Sequence, residues 1–128
     1  MTNQTDILAM TPEQLRIEIA KEKGWTQIKD TGDGILTGFL PNGGWNPDYV
    51  PHYTESILDA WELESEIPNG IGVSAAQYVA ILYRVLQNDP TVHRHPTYSV
   101  TFPSQFDLIH ATAEQRSRAW LILKRSAK

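Results

Sequence analysis

The chain has no cysteine. That absence excludes disulfides, thiolate zinc sites and thiol nucleophiles, and it is compatible with a reducing compartment without requiring one. Long apolar runs are missing as well: none approaches the roughly 20 residues needed to span a bilayer. The opening residues, MTNQTDILAM, hold neither a basic segment nor a long apolar one, so they do not read as a secretory signal. There is no basic stripe. Eleven Lys and Arg are scattered against fifteen Asp and Glu, for a formal net charge of −4 and a pI near 5.5. Duplex nucleic acid, which calls for such a stripe, is not an expected partner, and neither is a membrane. A few arginines are still enough to hold one small anion. Internal repeats, linkers and low-complexity tracts are absent too.

What is present fits a folded protein. The hydrophobic fraction is 41% and the charged fraction 20%, within the range of globular chains. A length of 128 residues suits one domain with a core of its own. Residues 1–10 read as a flexible arm and residues 11–128 as a single domain.

Thr11-Pro12-Glu13-Gln14 has the form of a helix entrance. Thr11 is the N-cap, Pro12 takes the first helical position, and Gln14 reaches back to close a capping box. Met10 and Leu15 have the spacing of a hydrophobic staple. Leu15, Ile19 and Ala20 make the apolar stripe, and Gly24 ends the helix with a residue that tolerates a left-handed backbone. Then the period changes. WTQIKD and ILTGFL flank TGDG, and Asp33-Gly34 is a strong signal for a tight hairpin turn. The next stretch, PNGGWNPDYVPHY, carries three prolines and two glycines and reads as a loop, unusually rich in aromatics.

Thr54 is the expected cap of a second helix running to about Glu66. Ile57, Leu58, Trp61 and Ile67 supply its apolar side; Glu55, Asp59, Glu62 and Glu66 read as a solvated face. Ser74 and Gln77 repeat the capping-box spacing before AAQYVAILYRVLQ, where Val79, Ala80, Leu82, Tyr83 and Leu86 point to a buried helix. The β-branched content of residues 74–87 leaves a strand open. TYSVTF alternates like a strand, FDLIH resumes extended structure, and a last helix runs from Ala113 to about Arg125, capped by Thr112 and Gln115, with Ala119, Trp120 and Leu123 inward. This order predicts an α+β fold, a small antiparallel sheet packed between helix layers in an α-β-α sandwich-like arrangement. Few, short strands leave an edge open to a partner chain.

Three segments, TPEQLRIEIAKEKGW, PHYTESILDAWELESEI and HATAEQRSRAWLILK, together resemble the phage ABA-sandwich domain family, small proteins encoded by phages and prophages. The carrying motifs are a Gly-Trp after the first helix, a Pro-x-Tyr before an aromatic helix, and an Ala-Thr-x-x-Gln-Arg helix start. The resemblance leaves out residues 68–100, and the Gly-rich SEIPNGIGVSAAQ connection departs from the family pattern. It implies a sheet between helix layers and the cytoplasm of a bacterial host, and it does not imply an enzyme activity. The family is also similar to phage anti-Thoeris and anti-CBASS sponges, which sequester cyclic ADP-ribose-type and cyclic nucleotide immune signals without cleaving them.

Several residues are candidates for such binding. The first turn of the last helix offers free N–H groups and the positive end of the macrodipole, a natural place for a phosphate. Arg116 and Arg118 could add charge-assisted bonds there, although residues two apart point about 200° apart on a helix. The alternative is structural: Arg116 lies with its stem over Trp120. Trp45 and Tyr98 would stack on or wall a base, and Arg94 would close the site. His93 and His95 share one face of an extended VHRHP, so a metal site with His52 or His110 is conceivable; no nearby carboxylate or thiolate accompanies them, and a solvated loop is the plainer reading. No metal and no cofactor are expected.

The expected function is therefore non-enzymatic: capture of a small anionic nucleotide signal by a homo-oligomer. The alternative is a structural or protein-interaction accessory protein, docking a host or virion protein through its aromatic loop 45–53 and sheet edge. A histidine hydrolase using His93 and His95 is the third reading, and no nucleophile motif or paired catalytic carboxylates accompany it.

Overall fold

A computed structural model describes residues 4–31, 35–42, 46–67, 73–88 and 108–126. Along the chain these form α1 (Gln4–Ala9), α2 (Pro12–Glu22), β1 (Thr26–Asp30), β2 (Leu36–Phe39), β3 (Asp48–Tyr49), α3 (Ile57–Ser65), α4 (Val73–Gln87) and α5 (Ala113–Ser126). The strands make one antiparallel sheet in the order β1-β2-β3. The α+β class expected from the pattern is the one observed.

The entrance of α2 is built as its residues dictate. Gln14 N–H donates to Thr11 Oγ1 at 3.2 Å, and Thr11 N–H donates to Gln14 Oε1 at 3.0 Å. At the far end Trp25 N–H reaches Ala20 O and Gly24 N–H reaches Lys21 O, both at 3.0 Å, the bond pair of a Schellman stop. Gly24 sits at φ +95°, and a Cβ there would come within 2.9 Å of Pro41, so glycine is required twice over. β1 and β2 pair through Lys29–Thr37 and Asp30–Leu36, with a register irregularity between Thr26 and Lys29 that holds Gln27 at φ 52°. The Asp33-Gly34 turn itself lies outside the described residues; beside it, Thr31 N–H donates to Ile35 O at 3.0 Å.

α5 is the centre of the molecule. Every residue from Ser117 to Leu123 is buried, which a surface helix with one apolar stripe cannot be. α1, α2, α3 and α4 all pack against it. Ala119, Trp120 and Leu123 face inward as expected, and Leu121 and Ile122 complete the ring. Ser117 buries its hydroxyl by donating to Tyr53 O at 2.6 Å, which fixes the turn before α3 onto the helix. Leu15, Ile19, Ala20, Leu36, Val50, Leu63, Leu82 and Leu86 fill the core around it.

Five expectations are corrected. Residues 4–9, expected in a flexible arm, form α1 and bury Ile7. Thr54 does not cap α3; residues 53–55 form a turn, and Ser56 is the cap, accepting from Asp59 N–H at 3.3 Å. α3 buries Ala60 and Leu63, with Ile67 just beyond, and leaves Leu58 and Trp61 outside. α4 is a helix, not a strand, but it begins at Val73, so Ser74 lies within its first turn, and its buried side is Tyr78, Ile81, Leu82, Val85 and Leu86, with Val79 and Ala80 exposed. Leu108 and Ile109, expected to be extended, are helical, and Ala111 N–H closes on Leu108 O. In each amphipathic case two apolar faces compete, and the packing on α5 decides between them. TYSVTF lies outside the described residues.

Candidate functional site

The start of α5 is where the sequence places an anion site. Its capping box is present: Gln115 N–H donates to Thr112 Oγ1 at 3.1 Å, and Thr112 N–H donates to Gln115 Oε1 at 2.8 Å. The two arginines that follow leave the helix on different sides, as the separation of about 200° requires.

Arg116 turns toward α3. Its Nη1 donates to both carboxylate oxygens of Glu64, at 3.2 and 3.1 Å, its Nε to Ala111 O at 2.9 Å, and its Nη2 to Leu108 O and Ile109 O at 3.3 and 2.9 Å. All five guanidinium donors are engaged within the chain. Tyr78 OH donates to the same Glu64 carboxylate and also reaches Arg116 O at 3.4 Å. Burial first, and then that bond to Glu64, pushes the Tyr78 phenol well above its usual range. The cation over the Trp120 ring is Lys124, with Nζ 5.6 Å from the centroid, and not the expected Arg116.

Arg118 turns toward α1. Its Nη1 donates to the carbonyls of Ile7, Leu8 and Met10 at 2.8, 3.0 and 3.0 Å, and its Nη2 to Glu114 at 3.1 Å. α1 has no basic residue in its own last turn, and Arg118 supplies that charge from α5. The two arginines are thus not brought together on one ligand, and each holds a separate piece of the fold.

Beside Arg118 lies a cavity of about 450 Å³, lined by Thr5, Leu8 and Ala9 of α1, Val85 and Asn88 at the end of α4, and Glu114, Gln115 and Arg118 of α5. Its lining mixes apolar and polar side chains, and its volume is within the size range of small-molecule sites. Arg116 is not among its walls. In that wall Glu114 is the more open partner of its i,i+4 pair with Arg118, its side chain 36% exposed against 9% for the arginine.

Of the residues singled out from sequence, Trp45, Arg94 and Tyr98 lie outside the described residues, as do His93 and His95. His52 is exposed, with Nδ1 3.9 Å from Glu55, and belongs to the turn before α3. Among the described residues no group of three His, Asp or Glu is arranged to hold a metal ion. Thr5, Leu8 and Ala9 escape sequence reasoning because residues 4–9 read as an arm, and with them Val85 and Asn88, which they face across the cavity; the cluster Ile7, Leu8 and Met10 is the signal that points the other way. Among the described residues no helix is long and apolar enough to cross a membrane. Comparison with known proteins finds no matching family model, no matching curated protein and no matching solved structure.

Proposed function

We propose that the protein is a non-catalytic binding protein that captures a small anionic nucleotide in the cavity at the start of α5. The observation that carries this reading is the cavity itself, about 450 Å³ against a helix N-terminus with Arg118 in its wall. The resemblance of three segments to phage proteins supports the ligand class, and with it action as a sponge in the cytoplasm of a bacterial host. The phosphate role falls to Arg118 and the first turn of α5; Arg116 stays with Glu64. Trp45, Tyr98 and Arg94 keep their proposed roles of stacking and closure. A homo-oligomer belongs to the same reading, because a second copy would add a further wall to the cavity.

Isothermal titration with cyclic ADP-ribose isomers and cyclic di- and trinucleotides tests it. Binding of one of them is expected, tightened severalfold in Glu114→Gln, where Arg118 Nη2 no longer faces a competing carboxylate. Heat-free titrations with the whole set would end the proposal. Mass spectrometry of small molecules released on denaturation identifies the ligand and shows whether it is left intact.

One observation favours a second reading, protein docking through loop 45–53 and the sheet edge. Tyr49 is 70% exposed on β3, the last strand of the sheet. A sponge releases a small molecule on denaturation, whereas a docking protein retains a polypeptide partner.

A further inference from the structure

α3 has a second apolar face that is exposed among the described residues. Ala60, Leu63 and Ile67 point into the core. On the opposite side Leu58 is 67% exposed and Trp61 51%. At about 100° per residue, Leu58, Trp61, Glu62 and Ser65 fall within one sector roughly 100° wide. An exposed Trp is the residue type enriched among interface hot spots, and with Leu58 three residues before it has the spacing by which an amphipathic helix lies in a groove.

Charge decides what can cover it. Between Lys29 and Arg84 the chain holds no Lys or Arg and eight of its fifteen acids. In α3 and at its C-cap two of these are neutralised from elsewhere in the fold: Glu64 by Arg116 at 3.1 Å and Glu66 by Lys23 at 2.5 Å. Glu62 belongs to no ion pair among the described residues, and Glu55, with its side chain 80% exposed, has His52 Nδ1 at 3.9 Å. Arg16, the nearest arginine in the electrostatics of this region, is buried with its guanidinium on the carbonyls of Val50 and Pro51. Glu62 beside the apolar pair is therefore in no ion pair of the described residues, and Glu55 adds an exposed carboxylate that His52 and the field of the buried Arg16 offset in part. Two copies meeting through this face would set Glu62 and Glu55 against acids of the same face, which disfavours self-association there.

We propose that the outer face of α3 docks a protein partner whose apolar cleft is bordered by Lys or Arg. Trp61 and Leu58 enter the cleft, and Glu62 and Glu55 meet its basic rim. The surface is separate from the α5 cavity and does not depend on what that cavity binds.

The test is photo-crosslinking from the full chain with benzoylphenylalanine in place of Trp61, in cells that naturally produce the protein, followed by binding measurements on the purified pair. The expected result is one partner, attached at an apolar cleft bordered by Lys or Arg. Its affinity should fall at least tenfold in Glu62→Lys and in Leu58→Ser, and should weaken as salt is raised. Both variants sit on the exposed face, and unchanged circular dichroism confirms that they fold. Arg118→Lys should leave this affinity unaltered. Crosslinks only to further copies of the chain, attachment within its own residues 89–107, the absence of any partner, or an affinity indifferent to Glu62→Lys would each overturn the proposal.

Discussion

Arg116, Glu64 and Tyr78 form a cluster in which each charge is held by several partners at once. The Arg116 side chain is 14% exposed and that of Glu64 21%, so both have left most of their water behind. Desolvation of that kind is offset only when every donor and acceptor is used, and the five bonds of Arg116 meet that condition. Removing one partner is therefore far more harmful than the net worth of the pair. Arg116→Ala should lower the stability measured by urea unfolding by about 3 kcal/mol, because it orphans a half-buried carboxylate and the carbonyls of Leu108, Ile109 and Ala111. Arg116→Lys should recover only a minor part, since an ammonium cannot span Glu64 and the 108–111 turn together. Lys21→Ala, which removes a pair whose lysine is 58% exposed and leaves Glu18 with Arg125, should cost less, about 0.5 kcal/mol. A loss below about 1 kcal/mol for Arg116→Ala would show that the cluster is solvated and not structural.

At the scale of elements, α1 shows how far local pattern reaches. Six residues cannot hold a helix alone in water, because nucleation is costly and few bonds follow it. α1 exists because Ile7 is buried against the core and because Arg118, 108 to 111 residues away, collects the carbonyls of Ile7, Leu8 and Met10. Arg118→Ala should cost about 2 kcal/mol of global stability, from charge-assisted bonds lost to the chain end of a helix. Amide hydrogen exchange in residues 4–10 should accelerate well beyond that of α5. Equal acceleration in both would mean that α1 is not a separately tethered unit. The same residue explains what is legible in the sequence. The caps Thr11–Gln14 and Thr112–Gln115 are readable because both partners lie three residues apart, and so is the stop at Gly24. The partners of Arg116 and Arg118 are not readable, since Glu64 and Ile7 are distant in sequence and no local rule names them. α3 and α4 are legible as helices, yet their buried sides are not: each offers two apolar faces, and only the position of α5 selects one. The cavity is half legible, its α5 wall foreseen and its α1 wall hidden in a stretch that reads as an arm.

Over the whole molecule, the charges that folding perturbs are unevenly placed across the pH scale. On the acid side two effects oppose. Burial pushes the Glu18 carboxyl up, but bonds from Lys21 and Arg125 outweigh it and hold the group below its ordinary value of 4.5, so its contribution is present above that value and is lost as pH falls. Glu13 is pushed the other way by a hydrogen bond and by repulsion from Asp30, so folding is favoured there while it stays protonated and loses that contribution as pH rises. The acid limb should be shallow. On the alkaline side burial holds the Arg16 guanidinium below its ordinary 12.5, which favours folding as pH rises, and two buried phenols act against it. Burial, then Glu66 and its acidic neighbours, pushes the Tyr53 phenol up, and burial with Glu64 does the same for Tyr78. A tyrosine whose folded value exceeds the unfolded 10.0 contributes fully below pH 10 and loses that contribution above it. Two such groups can remove at most about 2.7 kcal/mol per pH unit, because each proton lost on unfolding changes stability by about 1.4 kcal/mol for every unit of pH. Urea midpoints measured from about pH 4 to about pH 11.5 should therefore stay level through neutrality and fall steeply beyond about pH 10, with ultraviolet tyrosinate absorbance appearing only as the chain unfolds. Tyr53→Phe and Tyr78→Phe should each roughly halve that slope, and the double variant should remove most of it. A double variant that falls as steeply as the wild type would place the alkaline weakness elsewhere and would remove the two buried phenols from the account of stability.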